Sequence, residues 1–329
     1  MEAFKFSRRR ALQATALLGT SLLLPFEKLR AASASQTAGT PALTADEITA
    51  IETALGKKGS YKEAESVHTT PLPRNDLKVT VKGAPVPIPF GFGGWVSFKK
   101  SVDGKSAMVM GDTVLLQEEV NPLISAAQAN GLEIGAIHNH FFYEEPRIFY
   151  VHVHGMGSVA DLAKRYADTI RDSKIFPANQ PPAGPPPTVT GKENFDIQAL
   201  DAIVKYTGTV NGPTYKYTIG RSDLKVMMMG VEMTTNIGLN TWASFAGKQD
   251  DAQIAGDIAM LPGEVNNVIK TLRQHNIEVV AVHSHMLSDD PHIIFLHYLG
   301  KGAAAELAKG FRAALDELGK KSSMGGMKM

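Results

Sequence analysis

The sequence predicts an α+β fold of two tandem α/β sandwich units related by a pseudo-twofold axis, each an antiparallel sheet with helices on one face. Three observations predict this fold. One set of motifs occurs twice along the chain. Within each copy, short β-branched segments alternate with amphipathic helical segments. Finally, 43% of the 329 residues are hydrophobic, which is enough for a sizeable core.

The duplication appears as matched motifs at nearly constant spacing. Residues 74–79 (RNDLKV) match residues 221–226 (RSDLKV) at an offset of 147. From Gly111 onward, which matches Gly256, the offset is 145. A unit of this size is comparable to a small domain. The predicted organisation is repeat domain 1 over 43–172, a proline-rich linker over 173–193 and repeat domain 2 over 194–319.

The sequence pattern predicts a similar series of strands and helices in each copy. Val120, Leu123, Ile124 and Ala127 follow helical spacing, whereas 134–140 and 148–154 are rich in β-branched and aromatic residues. A tight polar loop at 143–146 is expected to join these last two segments. For copy one we predict strands over 77–81, 95–98, 106–110, 134–140 and 148–154, and helices over 118–130 and 159–170. For copy two we predict helices over 265–275 and 303–318, and strands over 279–285 and 293–299.

The first 34 residues predict a twin-arginine export signal. Paired arginines at 8–10 precede an apolar run at 14–24 and a small-residue cleavage site at 32–34. The apolar run is too short to span a membrane, so no stable membrane anchor is expected. We therefore expect a periplasmic or secreted protein. The methionine-rich end, 320–329, is expected to be a flexible tail whose thioethers suit copper(I), or simply a frayed terminus.

Charge and cysteine content exclude several classes of function. The chain has 34 Lys and Arg against 33 Asp and Glu, so no basic field for nucleic acid is expected. With no cysteine there is no disulfide, thiolate zinc site or cysteine nucleophile. Any metal must be bound by histidine, carboxylate, methionine or backbone oxygen. No partner protein can be named from the sequence.

The positions of the histidines indicate a metal site. Most of them fall in two short windows that occupy matched positions in the two copies. Residues i and i+2 of a strand share one face, and a hairpin about residue 145 would place His138 opposite His152. Two histidines on one strand and a third on its neighbour form the kind of set that binds zinc with an open fourth position. The predicted metal ligands are His138, His140, His152, His154, His283, His285 and His297.

Three functions are compatible with these ligands. The first is a protein that binds a divalent transition metal, with zinc preferred and copper the alternative. The second is a zinc-dependent periplasmic hydrolase for a small molecule, in which Glu119 or Glu264 moves the proton of a metal-activated water. The same two glutamates could instead only stabilise helix N-termini. The third is a structural envelope protein whose histidines are merely packed.

Other repeated residues are expected to have structural roles. Trp95 and Trp242 occupy one matched position and are expected to anchor the core. The pairs Glu144-Glu145 and Asp289-Asp290 precede prolines and are expected to be solvated turns.

The motif set resembles the bacterial LppY/LpqO family, catalogued as a domain of unknown function. The resemblance rests on the Arg74 motif, on Glu119-Val-Asn-Pro, on Ala136-Ile-His-Asn-His140 and on Val151-His-Val-His154-Gly-x-Gly157, and it covers nearly the whole mature chain. It implies export and a duplicated architecture, and leaves the activity open. The chain departs from the family's lipoproteins because it has no cysteine.

Overall fold

Both repeats fold into a large antiparallel sheet, a small antiparallel sheet and flanking helices. The computed structural model describes residues 39–182, 185 and 187–320. The predicted export signal (1–34) lies outside the described residues, as does the methionine-rich tail from 321 onward. Among the described residues, no helix has the length and apolar character needed to cross a membrane.

Repeat 1 contains three helices and nine strands. In chain order they are α1 (Ala45–Leu55), β1 (Ser60–Lys62), β2 (Val67–Pro73), β3 (Val79–Val81), β4 (Ala84–Val86), β5 (Gly93–Lys100), β6 (Ala107–Leu116), α2 (Gln117–Ala129), β7 (Glu133–His138), β8 (Glu144–Glu145), β9 (Ile148–Gly157) and α3 (Val159–Ile170). A short 3-10 turn, Ile88–Phe90, lies between β4 and β5.

Repeat 2 follows the same plan after a short helix in the linker. The elements are α4 (Gly191–Asn194), α5 (Ile197–Val204), β10 (Thr209–Asn211), β11 (Thr214–Gly220), β12 (Val226–Met228), β13 (Val231–Met233), β14 (Asn240–Lys248), β15 (Asp251–Met260), α6 (Val265–Gln274), β16 (Glu278–His283), β17 (Asp289–Asp290), β18 (Ile294–Gly302) and α7 (Ala304–Leu315). The 3-10 turn Thr235–Ile237 corresponds to that of repeat 1.

The two large sheets have equivalent strand orders. The order is β1-β2-β5-β6-β9-β7 in repeat 1 and β10-β11-β14-β15-β18-β16 in repeat 2, with every neighbouring pair antiparallel. The small sheets are β4-β3-β8 and β13-β12-β17. The predicted α+β class with two tandem units is therefore confirmed.

The helices cover one face of each large sheet, as predicted. In repeat 1, Val109 and Val151 on the sheet pack with Leu162 and Tyr166 of α3. Repeat 2 has its own helix-side core, in which Ile254 and Leu296 pack with Phe311 of α7. Each helix-side core contains residues of one repeat only, so each unit buries apolar surface of its own.

The sheet faces turned away from the helices are buried between the two repeats. Met108 and Met110 of repeat 1 share a core with Met228 and Phe295 of repeat 2. A second shared core joins Phe141 of repeat 1 to residues of β15 and β18. The described residues of the two repeats therefore form one compact unit, and the side chains on the inner faces of the two sheets meet.

The segments that follow β7 and β16 differ from the prediction. Residues 139–147 do not form a tight solvated turn, because β8 pairs with β3 and Glu144 is buried. Its counterpart Asp289 is also buried, and it accepts a hydrogen bond from the backbone N–H of Ile293 at 2.6 Å. The solvated-turn expectation was wrong for Glu144 and Asp289, since these segments add a third strand to each small sheet.

The proline-rich linker begins as part of repeat 1. Ile175 is buried in the helix-side core of that repeat. The side-chain carbonyl of Gln180 accepts a hydrogen bond from the backbone N–H of Asn75 at 2.8 Å. The first part of the predicted linker is therefore packed against the repeat, because it carries an apolar side chain that the core can bury.

Candidate metal centre

The histidines lie on two neighbouring strands of each large sheet and in the loop that follows one of them. On β9, His152 is opposite Asp112 of β6, and on β18 His297 is opposite Asp257 of β15. His138 and His283 are the last residues of β7 and β16. The following loops carry the remaining two histidines beyond the end of each strand.

The predicted hairpin register was wrong by two residues. Ala136, not His138, lies opposite His152, and His138 lies opposite Tyr150. A register shift between Ile134 and Ala136 marks a β-bulge, and the loop after β7 is longer than the tight turn assumed. Repeat 2 has the same bulge, so the offset is built into both copies.

The two histidine sets converge into one cluster across the repeat interface. His138 stacks on His283, with ring centroids 3.8 Å apart. His140 stacks on His297 at 3.9 Å, and His152 stacks on His285 at 3.8 Å. His140 and His285 occupy matched positions in the two repeats, and so do His152 and His297. Exchanging the two repeats therefore turns the His140–His297 pair into the His285–His152 pair. The contacts therefore have the pattern of a pseudo-twofold axis that passes between His138 and His283.

The cluster is buried, and its nitrogens lack partners within the protein. Five of the six imidazoles are buried, and His283 is half-buried. Each of the six has at least one buried ring nitrogen with no hydrogen-bond partner in the described chain. Buried polar groups in native proteins are rarely left unsatisfied, and each one needs an explanation. A bound cation would supply the missing partner for several of these nitrogens at once.

The geometry is close to that of a transition-metal site. One ligand nitrogen from each of His138, His283, His285 and His297 lies within 4.8 Å of the other three. Zinc–nitrogen bonds are about 2.0–2.1 Å, so the ligands of a tetrahedral ion are about 3.4 Å apart. The most widely separated nitrogens would have to approach by about 1.4 Å for all four to bind one zinc ion. The cluster could therefore hold a metal ion.

Two aspartates lie beside the cluster, and neither was identified as a site residue from the sequence. The Asp112 carboxylate is 3.9 Å from His152 Nε2, and the Asp257 carboxylate is 3.6 Å from His285 Nε2. Both are buried, and one oxygen of each has no hydrogen-bond partner in the described chain. The signal was present in the sequence as the repeated pair Gly-Asp, but only strand pairing places it beside the histidines.

Burial shifts the protonation of the cluster toward its neutral forms. Desolvation, reinforced by mutual repulsion, holds the pKa of His138, His140 and His297 well below the usual 6.5. Desolvation also raises the pKa of Asp112 to about 8. Neutral imidazole is the form that ligates metals, and perturbed groups of this kind concentrate at functional sites.

His154 lies outside the cluster, although the sequence grouped it with the ligands. Its Nε2 is 3.0 Å from the Glu133 carboxylate, which lies on the neighbouring strand β7. No stacking on the other histidines is present within the described residues, and the matched position in repeat 2 is Leu299. The structure therefore places His154 in a local pair rather than in the shared centre.

Glu119 and Glu264, which were expected to be catalytic, form ion pairs with arginines instead of contacting the histidine cluster. The carboxylate of Glu119 accepts hydrogen bonds from Arg74 Nη1 at 2.7 Å and from the backbone N–H of Leu116 at 2.8 Å. Glu264 makes the equivalent contacts with Arg221 and Leu261. Neither forms a hydrogen bond or ion pair with a histidine of the described chain. Their positions fit the alternative interpretation, stabilisation of the first turn of a helix.

A cavity of about 470 Å³ opens onto the cluster. Its lining includes Asp112, Asp257 and three of the clustered histidines. Trp95 and Trp242 form part of its wall and are only half-buried. Trp95 also packs against the core shared by the two repeats, as expected of a core anchor. A cavity of this volume is in the range that holds small-molecule ligands.

Comparison with known families accounts for both repeats. The family model described as Domain of Unknown Function (DUF1259) matches residues 49–172 and again 198–317. The protein belongs to this family, in which it carries two tandem copies of the domain.

Comparison with individual proteins adds little. No curated protein matches the chain. EtuB from Clostridium kluyveri is 9% identical over 69% of this chain and 87% of its own, with a TM-score of 0.18. The fused permuted hexameric shell protein MSM0275 from the RMM microcompartment is 11% identical over 66% of this chain and 86% of its own, also with a TM-score of 0.18. Similarity this low carries no argument about fold or function.

Proposed function

We propose that the protein is an exported transition-metal protein in which the two repeats together build a single centre, with zinc as the preferred ion. The observation that carries this proposal is the set of buried, unpartnered nitrogens on six histidines contributed equally by the two repeats. A packed structural core would pair those nitrogens with protein groups. Imidazole and carboxylate donors without a thiolate suit zinc, and copper is the alternative.

Export is proposed from the twin-arginine pattern and the cleavage site of the first 34 residues. We also propose that the chain is an LppY/LpqO protein, because its motifs resemble those of that family. This designation is consistent with a duplicated domain and names no activity.

Metal-dependent hydrolysis of a small molecule is the second candidate, and the cavity favours it. A closed metal store has no need of a cavity of about 470 Å³ at its ligands. Zinc, when bound, lowers the pKa of a coordinated water to about 7. Asp112 and Asp257 are the carboxyls that could hold or move a proton there, because they line the cavity and Glu119 and Glu264 do not.

The first experiment measures metal content in three proteins purified without chelator. We expect about one equivalent of metal in the wild type and almost none in His138→Ala or His283→Ala, because each repeat supplies part of one centre. If each repeat instead held its own independent site, each variant would lose only half of the metal.

His154→Leu is the matched control, because it removes a buried histidine of repeat 1 and installs the residue of repeat 2. It should retain the wild-type metal content. A wild type that stays metal-free after incubation with zinc or copper, with no gain in thermal stability, would refute the proposed centre.

A further inference from the structure

Some residues that line the cavity are identical in the two repeats, and others differ in polarity. Trp95 and Trp242 are matched, as are Asp112 and Asp257, and all four line it. Three other lining residues of repeat 1 are apolar, and their counterparts in repeat 2 are polar. The pairs are Pro71 and Thr218, Ile88 and Thr235, and Pro89 and Asn236. In each pair the apolar residue belongs to repeat 1 and the polar residue to repeat 2. The turn that carries Ile88 and Pro89 packs on repeat 2, where the Ser244 hydroxyl donates a hydrogen bond to the Pro89 carbonyl at 3.4 Å.

The asymmetry includes one charge. Lys216 of β11 lies opposite Ser244, whereas the matched residue of β2, opposite the equivalent Ser97, is Thr69. Lys216 and Thr69 both line the cavity. Repeat 2 thus contributes a cation that repeat 1 lacks.

Asp112 and Asp257 attract the Lys216 ammonium only at longer range, without a direct contact. The ammonium forms no hydrogen bond or ion pair among the described residues, and its Nζ lies 4.5 Å from the centroid of the Trp242 ring. Apart from histidine, the only other ionisable residues described in the lining are Asp112 and Asp257. A divalent ion at the histidine cluster would balance those two carboxylates, which leaves Lys216 as the uncompensated charge of the wall.

We propose that the cavity binds an organic anion with an apolar body, in one orientation. The anionic group lies against Lys216, and the apolar body lies against Pro71, Ile88 and Pro89. The tryptophans line the cavity from both repeats and contact the body, because aromatic rings pack well against apolar groups. The inference rests on the proposed function for the ion that balances the aspartates, and it adds the class of ligand or substrate.

Intrinsic fluorescence gives a direct assay of this proposal. The chain contains two tryptophans, and both line the cavity, so quenching reports its occupancy. The probes are 3-phenylpropionate and its neutral isostere 3-phenylpropionamide, titrated into the zinc-loaded protein. A charge-assisted contact predicts that the carboxylate binds about tenfold more tightly than the amide.

Variants separate the two halves of the proposal. Lys216→Met should bring the two affinities to within about twofold, and Lys216→Arg should retain the preference. Lys301→Met, which removes a lysine outside the cavity, should match the wild type. Ile88→Thr, which installs the residue of repeat 2, should weaken both probes by a similar factor. A preference that survives in Lys216→Met, or the absence of quenching by either probe in the wild type, would overturn the proposal.

The metal content of the same samples distinguishes this failure from failure of the proposed function. Zinc-replete protein that shows no preference for the carboxylate refutes the anion site alone. Protein that binds no zinc and still prefers the carboxylate through Lys216 refutes the metal centre alone.

Discussion

Replacement of Arg74 or Arg221 by methionine tests whether Glu119 and Glu264 are structural rather than catalytic. The Arg74 side chain is fully buried and donates five hydrogen bonds, of 2.7–3.3 Å, to Asp76, Glu119 and the carbonyl of Val114. Arg221 makes the equivalent five bonds in repeat 2. Methionine fills similar space without a donor, so each change leaves a glutamate without its cation.

The expected cost follows from how far each glutamate is exposed. Loss of one partner of a buried ion pair costs about 3–5 kcal/mol. The Glu119 side chain is 19% exposed and would recover some hydration, whereas that of Glu264 is 4% exposed. We therefore expect about 3 kcal/mol for Arg74→Met and about 5 kcal/mol for Arg221→Met.

The assay is equilibrium unfolding in urea, with metal content measured on the folded protein. Arg171→Met is the control, because that side chain is 53% exposed and its pair with Asp168 should contribute at most about 1 kcal/mol. The metal content per folded chain should not change in any of the three. A structural role for the two glutamates is refuted if both buried changes cost less than about 1 kcal/mol, or if either removes the metal from folded protein.

Two further predictions concern the cluster itself. Without metal, the free energy of unfolding should fall as the pH drops below about 6.5, by at least about 1.4 kcal/mol per pH unit near pH 5.5. Burial lowers the pKa of the six histidines, so near pH 5.5 they bind more protons in the unfolded chain than in the folded protein. Burial raises the pKa of Asp112 and Asp257, which has the opposite effect, but it concerns two groups rather than six. Urea midpoints in chelator at pH 5.5 and 7.0 measure the effect, and equal midpoints would contradict it. Gly135→Ala should lower zinc affinity at least tenfold in a competitive titration, because its Cβ would collide with the His285 carbonyl oxygen and separate the repeats. Gly93→Ala, whose Cβ meets no atom within 4 Å, should bind zinc as the wild type does, and equal affinity in both variants would refute this account.

Much of the fold was predictable because it depends on short-range patterns. Helical spacing located α2 and α3, and β-branched runs located β7 and β9 to within a few residues. The strands β1, β2 and β8 were missed, since they are short or polar and depend on partners distant in sequence. The two-residue error in register comes from the bulge at Gly135. A glycine within a strand pattern can mark a bulge, but its counterpart Val280 carries no such signal.

The sequence by itself determined the duplicated α+β architecture, the absence of thiolate chemistry and the identity of all six clustered histidines. Those features reside in composition, periodicity and spacing, which are properties of the chain. Only the tertiary structure decided that the two histidine sets form one centre, and that Asp112 and Asp257 belong to it while His154 and Glu119 do not. The physical reason is that the inner faces of the two sheets can bury their apolar residues only against each other, and that packing brings the two sets of histidines into contact.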